Sequence, residues 1–455
     1  MTKVMKFGGG CLRDGRAFAQ ACAIISGQGR VAVVVSAVSG VTELLLAAIE
    51  GAKRGEKHIP AILERLGEKH LDVIGAARLA AAQEKRLQKA IAAQLDEVRR
   101  LLTGIAYHGD LTPAVRARLL SFGERMAARL LAAMLESRGQ KARALDAHNA
   151  GIRTDGNFEN ASIDRERTRI KLGTLAAPLL RLGVVPVISG FFGRGPSGSI
   201  TLLGRNGSDY SAAAVAYALK AERLEIWKDV DGFMSADPAL VPTARQLERV
   251  SHAEAAELAY FGAQILHPRT VEPLAGTGTR VFVRNMRRPG SPGSEIVPGR
   301  SGREEAVASI TANRRLAVIR VHGAGIGSRP GLLAGVSSLL GEAGINIYSV
   351  LTSQTCINLL LDPADARRGL QKIKAAANGV IRKIELEEHL ALVGVVGDRI
   401  MEKEGIYAHI FTAVAKEKIN VEMAAAGASS VACYFLVRNT DLDRAVRAVH
   451  DEFFP

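Results

Sequence analysis

The stretch Val31-Ala32-Val33-Val34-Val35-Ser36 is an unbroken apolar run rich in β-branched residues. Such a run is typical of a strand that is buried on both faces of a parallel sheet. Similar short runs occur at residues 4–7, 184–189, 224–227 and 280–283, and helical stretches separate them. The first 290 residues therefore predict an α/β domain with a mainly parallel central sheet between helical layers.

The C-terminal third contains an internal repeat. A shift of 74 residues aligns residues 321–323 with 395–397, and residues 345–347 with 419–421. Self-similarity at a fixed offset predicts two copies of one supersecondary unit. Each copy has the pattern strand, helix, strand, strand, helix, which indicates two small α+β domains.

The two copies differ at their ends. The first copy ends on a strand near residues 380–386, whereas the second reaches the end of the chain with the helix at 441–453. The second copy therefore lacks a final strand, and an unassigned strand at 306–311 is the candidate for it. We expect the first copy to be inserted in the second. A Pro- and Gly-rich stretch before it predicts a linker. The expected domains are 1–290, a linker 291–304, the first copy 313–388, and the second copy 305–312 plus 389–455.

The composition excludes several classes of protein. Hydrophobic residues make up 47% and charged residues 23%, as in ordinary globular chains. The four cysteines form no C-x-x-C pair, so neither a disulfide framework nor a structural zinc site is expected. The net charge is +14, but basic residues are scattered and aromatics are only 5%, which does not favour nucleic-acid binding. With no apolar run of about 20 residues and no signal peptide, we expect a cytoplasmic protein without membrane contact.

Lys6-Phe7-Gly8-Gly9 ends the first predicted strand. A lysine followed by glycines can offer an ammonium and backbone N–H groups to a phosphate. The motif is not a Walker A loop, because the spacing G-x-x-x-x-G-K-[ST] is absent. A purely structural strand–glycine turn stays open as the alternative.

A second motif, LGRNGSDYSA at 203–212, opens a predicted helix. Arg205 can hold a carboxylate in bidentate fashion, and Ser208 and Asp209 stand at the helix start. A simple helix cap is the alternative. A third motif, WKDVDG at 227–232, follows a strand and places Lys228 beside Asp229 in a turn-rich loop. His267 is expected to be structural rather than a general base, because no partner is evident.

Seven segments together resemble the aspartate kinases of the amino acid kinase family. They are KFGG at 6–9, VVVSAVSGVT at 33–42, SFGER at 121–125, VISGFFGR at 187–194, LGRNGSDYSAA at 203–213, WKDVDGFMSADP at 227–238 and ELAYFGAQILHPRT at 257–270. The repeat looks like the paired ferredoxin-like ACT regulatory domains of such enzymes. The resemblance implies the amino acid kinase fold and phosphoryl transfer from ATP, with Mg²⁺, to the side-chain carboxylate of L-aspartate. That reaction is the first step towards lysine, threonine and methionine.

The resemblance also implies roles for individual residues. The catalytic ones are Lys6, Arg205 and Asp209. Substrate binding falls to Thr42, Glu124, Arg205 and Ser208. Nucleotide binding falls to Lys6, Phe7, Gly8, Gly9, Lys228, Asp229, Met234 and Gln264. No residue is assigned as a metal ligand.

The sequence departs from the family pattern around the nucleotide. Gly10 and Cys11 stand where the family usually has Thr-Ser, and Lys228 replaces a usual threonine. Ala239 and Gln264 replace a usual arginine and a usual lysine. Three functions therefore stay open: an aspartate kinase with a rearranged nucleotide site, a non-catalytic regulatory relative, and a kinase of another amino acid carboxylate.

For the ACT pair, the resemblance implies a homodimer or a dimer of dimers and feedback inhibition by lysine or threonine. The preferred effector site lies in the first copy, where a glycine loop meets a strand start. Its residues are Ser328, Gly331, Leu332, Asn346, Ile347, Ser353 and Gln354. Each of these positions can equally be an ordinary turn or cap residue.

Overall fold

The structure is a computed structural model that describes residues 2–262, 265–266, 268–375 and 380–455. The chain divides into two compact units. The N-terminal unit comprises Met1–Phe233, Gln246–His252 and Ile265–Ser301, and the C-terminal unit comprises Met234–Arg245, Ala253–Gln264 and Gly302–Pro455. Two short stretches of the predicted first domain thus belong to the C-terminal unit.

The N-terminal unit alternates strands and helices. Its strands are β1 (Lys3–Phe7), β2 (Val31–Val35), β3 (Ala142–Leu145), β4 (Val185–Ser189), β5 (Phe192–Arg194), β6 (Ile200–Leu202), β7 (Arg223–Lys228), β8 (Arg249–Ser251), β9 (Arg280–Asn285) and β10 (Ser294–Val297). Its helices are α1 (Gly15–Ile25), α2 (Val41–Lys53), α3 (Ile59–Ala76), α4 (Ala81–His108), α5 (Pro113–Glu136), α6 (Ala147–Ala150), α7 (Arg165–Arg181) and α8 (Gly207–Ala218).

Eight strands form one sheet in the order β3-β4-β2-β1-β7-β9-β10-β8. The strands from β3 to β9 are mutually parallel, and β10 is antiparallel to β9. All five residues of β2 are buried, which confirms the strand predicted from its continuous apolar run. In α5 almost every residue from Leu119 to Leu135 is buried, so this helix is packed on several sides.

Residues 291–304 are not a free linker. Ser294–Val297 form β10, which pairs with β9 on one side and β8 on the other. The flanking Pro and Gly residues shorten this strand to four residues and conceal its apolar alternation. The boundary between the two units falls later, after Ser301.

The C-terminal unit holds the remaining elements. Its strands are β11 (Ser309–Asn313), β12 (Ala317–His322), β13 (Ile347–Thr352), β14 (Cys356–Leu361), β15 (Lys383–Glu387), β16 (Leu390–Val396), β17 (Met423–Ala425) and β18 (Ala432–Arg438). Its helices are α9 (His252–Tyr260, of which His252 belongs to the other unit), α10 (Leu332–Glu342), α11 (Pro363–Ala375), α12 (Ile406–Lys416) and α13 (Leu442–Phe453). None of the helices in the described ranges is long and apolar enough to cross a membrane.

The two repeat copies form two separate four-stranded sheets, ordered β13-β14-β12-β15 and β17-β18-β16-β11. Strand β11 begins and ends 74 residues before β15 and occupies the matching edge of the other sheet. A second correspondence lies beside these strands. A Cβ on Gly323 would lie 2.2 Å from the carbonyl oxygen of Val380, and one on Gly397 would lie 2.0 Å from that of Ala306. The strand that precedes the first copy therefore packs in the sheet of the second.

Candidate active site

The carboxyl ends of four parallel strands meet at one edge of the N-terminal sheet. Phe7 of β1 is in register with Val35 of β2 and Trp227 of β7, and Val35 is in register with Ser189 of β4. The loops that follow these strands therefore start side by side. In open parallel sheets this edge is where ligands usually bind.

A buried carboxylate joins two lysines at this edge. Asp209 stands in the first turn of α8. Its Oδ1 is 2.5 Å from Lys6 Nζ, and its Oδ2 is 3.3 Å from Lys228 Nζ. Asp209 is 1% exposed and Lys6 is 5% exposed. Burial alone would raise the pKa of Asp209, but the charges of Lys6 and Lys228 hold this pKa below its ordinary value. Burial lowers the pKa of Lys228, which Asp209 partly counteracts. Two lysines therefore share one carboxylate in a mostly buried setting.

The glycine loop after β1 lies against this cluster. The Gly8 N–H donates to the carbonyl of Trp227 at 3.2 Å, and a Cβ on Gly8 would lie 3.3 Å from Lys6 Nζ. Phe7 contributes only backbone here, because its ring is fully buried and stacks on Trp227. A Cβ on Gly10 would lie 2.9 Å from Oδ2 of Asp229. The departure at position 10 thus has a geometric reason, since the Asp229 carboxylate occupies that space.

Cys11 is not an activated thiol. It is 2% exposed, and burial raises its pKa to about 11 despite the opposing charge of Lys6. At neutral pH the side chain is a protonated thiol in the core beneath the glycine loop.

Glu124 faces the same region from α5. It is 4% exposed, and its Oε2 has no hydrogen-bond partner in the described part of the chain. Burial raises the pKa of Glu124 to about 8, although a hydrogen bond from the backbone of Ala37 and the charge of Lys6 lower it. A buried acid with an open oxygen is suited to receive a ligand ammonium group.

The other predicted substrate residues frame this area. Thr42 is half-buried in the first turn of α2, directly after the loop 36–40. Ser208 is buried beside Asp209, while Arg205 is exposed in the turn before α8. Among the described residues, Arg205 has no ion-pair partner, so its guanidinium is available to an anion.

Met234 and Gln264 are the remaining predicted nucleotide residues. Met234 belongs to the C-terminal unit, and Gln264 lies outside the described residues, as does His267. The loop after Lys228 is held by contacts that the sequence did not suggest. Asp231 accepts hydrogen bonds from Asn285 at 2.7 Å and from Arg288.

Lys69, which no sequence motif marks, contacts the loop before Thr42. It extends from α3 and donates to the Ser39 carbonyl at 3.1 Å, in the loop that leads to Thr42. The only available signal was the long helical insertion between strands, and nothing in it marked this lysine.

The predicted effector residues fall at two ends of one strand. Ser328 and Gln354 are adjacent: the Gly327 N–H donates to the Gln354 carbonyl at 3.3 Å, and Gln354 Nε2 lies 3.4 Å from Ser328 Oγ. Gly331 caps α10 in the left-handed conformation, and Leu332 packs against the core of this sheet. Asn346 and Ile347 stand at the start of β13, whereas Ser353 follows its end. At about 3.3 Å per residue, roughly 20 Å separates the two groups.

Family comparison identifies the domains. The amino acid kinase family matches residues 1–285, and ACT domains match residues 311–366 and 393–453. The chain belongs to the amino acid kinase family. Within it, the chain is 32% identical to chloroplastic aspartokinase 2 of Arabidopsis thaliana, over 100% of this chain and 84% of the relative.

One bacterial aspartokinase is similar over nearly its whole length. Identity is 30% to the lysine-sensitive aspartokinase 3 of Escherichia coli, over 99% of both chains. The E. coli aspartokinase III structure in complex with aspartate and ADP matches all of this chain with a TM-score of 0.84 and 28% identity. This member of the amino acid kinase family is thus an aspartokinase, an ATP-dependent kinase of the aspartate carboxyl group, with two ACT domains.

Proposed function

We propose that the Lys6–Asp209–Lys228 cluster is the place where this chain transfers the terminal phosphoryl group of ATP to the side-chain carboxylate of L-aspartate. The observation that carries the proposal is the single buried carboxylate of Asp209 bridging two lysines beside the glycine loop. Two ammonium groups fixed in a buried site suit the charge that develops on phosphate oxygens during transfer.

The reaction needs positioning rather than a base. A carboxylate oxygen of aspartate attacks the γ-phosphorus, the bond to the bridging oxygen breaks, and ADP leaves. Lys6 faces the transferring group, because it lies nearest the Gly8 backbone. Glu124 receives the substrate ammonium, and Arg205 holds a substrate carboxylate with hydrogen bonds from Thr42 and Ser208. Fixed geometry of this kind supplies much of the rate in phosphoryl transfer.

Mg²⁺ fits the site as a companion of the nucleotide. The residues described contain no group of three or more Asp, Glu, His or Cys side chains placed to hold a metal ion. Mg²⁺ in kinases is commonly held by one or two carboxylates together with substrate phosphates. The exposed Asp229 carboxylate lies over Gly10 of the glycine loop and would supply the protein ligand. When bound, the ion neutralises charge on the phosphate oxygens.

The test is ADP release by the purified protein with MgATP, with and without L-aspartate, and with hydroxylamine to trap an acyl phosphate. The proposal predicts ADP and aspartyl hydroxamate in equal amounts, only when aspartate is present. ADP release without hydroxamate, or turnover with other amino acids alone, argues against it.

The pH dependence of aspartate use follows from Glu124. Its pKa is raised to about 8, so below that pH the free enzyme holds a neutral acid that cannot pair with the substrate ammonium. We expect kcat/KM for aspartate to fall about tenfold per pH unit below pH 8, while kcat/KM for MgATP changes less. Glu124→Gln is expected to lower kcat/KM for aspartate about 100-fold and to flatten the profile. Superimposable pH profiles for the two proteins would rule out this role.

The ACT domains supply the proposed dimer and effector site. Strand β13 is at an edge of its sheet and exposes Val350, and Leu333 of α10 is also exposed. We infer a two-fold contact along this edge, because antiparallel copies would bring Asn346 of one chain near Ser353 of the other. That contact would unite the two separated groups of effector residues. Sedimentation of the protein at micromolar concentration tests it, and a monomer would contradict it.

The effector is proposed to be lysine or threonine. The E. coli aspartokinase III structure in complex with lysine and aspartate matches this chain with a TM-score of 0.84, which favours lysine. Ser353→Ala and Asn346→Ala are each expected to raise the half-inhibitory concentration about tenfold. Ser338→Ala, an exposed serine of α10, is the matched control. Inhibition that is unchanged in both variants would remove these residues from the effector site.

A further inference from the structure

Two arginines are paired beside the hairpin of β5 and β6. Arg153 and Arg194 form a parallel β-bridge. The Arg194 N–H donates to the Ile152 carbonyl at 2.9 Å, and the Thr154 N–H donates to the Arg194 carbonyl at 3.1 Å. Bridged residues lie about 5 Å apart with their side chains on one face. Within the N-terminal unit, the backbone thus holds two positive charges side by side.

Other contacts fix the segment that carries Arg153. Its N–H donates to Thr168 Oγ1 at 2.9 Å, and its carbonyl accepts from the Asp164 N–H at 2.9 Å. The next residue, Thr154, is buried, and its hydroxyl oxygen is 2.7 Å from that of Thr201 in β6. The two arginines cannot separate without breaking these bonds, so the fold sets their spacing.

The pair has no counter-charge in the part of the chain that the structure describes, because no carboxylate there lies within ion-pair distance of either guanidinium. The acidic residues nearest in sequence have other partners. Asp164 pairs with Arg167 at 3.4 Å. Asp155 accepts a hydrogen bond from the Asn157 N–H at 3.0 Å. Like charges directly opposite each other are destabilising, so an anion would stabilise this pair.

His148 lies next to the pair but brings no negative charge. Its carbonyl accepts from Arg153 Nη1 at 2.9 Å, and its ring packs on Phe192 with centroids 5.8 Å apart. Burial lowers the pKa of His148, Asp146 raises it, and the charge of Arg194 lowers it again. Burial and the charge of Arg194 also lower the pKa of Arg153. Both shifts indicate positive charge that is not neutralised locally.

The two guanidinium groups keep donors for a ligand. Among the described residues, the exposed Arg194 makes no side-chain hydrogen bond or ion pair. Arg153 uses one of its five N–H donors on His148. A Cβ on Gly198 would lie 3.2 Å from Arg194 Nη2, and Gly198 has a φ of +87°, which favours glycine. The turn of the hairpin therefore leaves room beside the guanidinium.

We infer that Arg153 and Arg194 form a binding site for a phosphate dianion, either inorganic phosphate or the phosphate group of a small metabolite. Phosphate oxygens accept paired N–H groups from guanidinium forks. A phosphate group carries close to two negative charges at neutral pH and matches the two charges of the pair, whereas a carboxylate carries one. The inference does not rest on the proposed function, because neither arginine belongs to the Lys6–Asp209–Lys228 cluster.

The test is calorimetric titration of the full-length protein with sodium phosphate at constant ionic strength. Arg153→Met and Arg194→Met are each expected to weaken phosphate binding about tenfold or more. Arg167→Met is the matched control, since it removes the same charge from α7 but from a residue with its own acidic partner. It should keep the wild-type Kd. Unchanged binding in both test variants overturns the inference, and so does an equal loss in the control.

Lys6→Met separates this site from the active site, where phosphate can also bind. Binding that persists in Lys6→Met and is lost in Arg194→Met places the ion at the arginine pair, and the reverse result overturns the inference. Glycerol 3-phosphate then distinguishes the two sources of the ligand. Binding comparable to that of inorganic phosphate supports a phosphorylated metabolite, and binding of inorganic phosphate alone supports the free ion.

Thermal unfolding distinguishes a ligand site from a structural role. Without phosphate, Arg194→Met is expected to unfold about 1–2 °C above the wild-type protein, because one of two like charges is gone. Phosphate should raise the midpoint of the wild type more than that of the variant. A lower midpoint of the phosphate-free variant would show that Arg194 stabilises the fold and would overturn the inference. A wild-type protein that forms no hydroxamate contradicts the proposed function and leaves these results unaffected.

Discussion

Lys6→Met is expected to lower kcat for aspartate phosphorylation about 1000-fold. Lys6 is buried, and its ammonium lies against Gly8 of the glycine loop, so its removal takes a fixed positive charge from the place where the phosphoryl group is expected. The variant also leaves Asp209 as a buried carboxylate with one cation in place of two. KM for aspartate should change far less than kcat, because the loss falls on charge that develops during transfer. Steady-state kinetics of ADP release measure both values.

Lys3→Met is the control for that experiment. Lys3 lies in the same strand, β1, but pairs with Glu225 at 3.6 Å and is partly exposed. Its removal should leave kcat unchanged. A Lys6→Met enzyme that retains more than a tenth of the wild-type kcat would contradict the assignment of Lys6.

Lys228→Met is expected to raise KM for MgATP about 100-fold, or about 2.7 kcal/mol, with a smaller loss in kcat. A cation about 4 Å from a phosphate in a partly buried site contributes a few kcal/mol. Lys228 pairs with Oδ2 of Asp209, whereas Lys6 pairs with Oδ1. The Lys228 side chain is 16% exposed, so it can reach a bound nucleotide. The effect should be large because Ala239 and Gln264 stand where the family resemblance implies further cations.

Lys220→Met is the matched control, since this exposed lysine precedes the opposite end of the same strand, β7. Its KM for MgATP should stay at the wild-type value. Equal KM values for Lys228→Met and the wild type would mean that another group supplies the missing charge.

The sequence predicted the residues of the site through their motifs and the family resemblance, and the strand order of the fold explains why these motifs lie together. Parallel strands with apolar runs imply that their carboxyl ends share one edge, which brings the loops after Lys6 and Lys228 together. The pairing of both lysines with Asp209 was beyond reach, because it depends on the direction in which α8 starts. The raised pKa of Glu124 was equally hidden, since burial is a property of the packed helix α5 rather than of its motif.

The repeat could be found in the sequence because its 74-residue offset does not depend on how the domains fold or pack. Strand β10 was missed because four residues between prolines and glycines carry too little alternation to indicate a strand. The effector residues were grouped because the resemblance to ACT domains implies an amino-acid site where a glycine loop meets a strand start. An extended strand of six residues, β13, separates them in space.

The retention of Lys6, Glu124, Arg205 and Asp209 favours a working enzyme over a regulatory relative without catalysis. A non-catalytic protein has no need of two buried ammonium groups around one carboxylate, because an unliganded site of this kind is costly to bury. Gly10 also leaves the space that the Asp229 carboxylate occupies, so the change at position 10 fits its neighbour.

The most direct measurement is reduction of the reaction product with borohydride. The wild-type protein is incubated with MgATP and L-aspartate, and any acyl phosphate is reduced to its alcohol before chromatography. Transfer to the side-chain carboxylate predicts homoserine in proportion to the ADP released. The absence of any amino alcohol, or the appearance of 3-amino-4-hydroxybutanoate from the other carboxylate, would contradict the account.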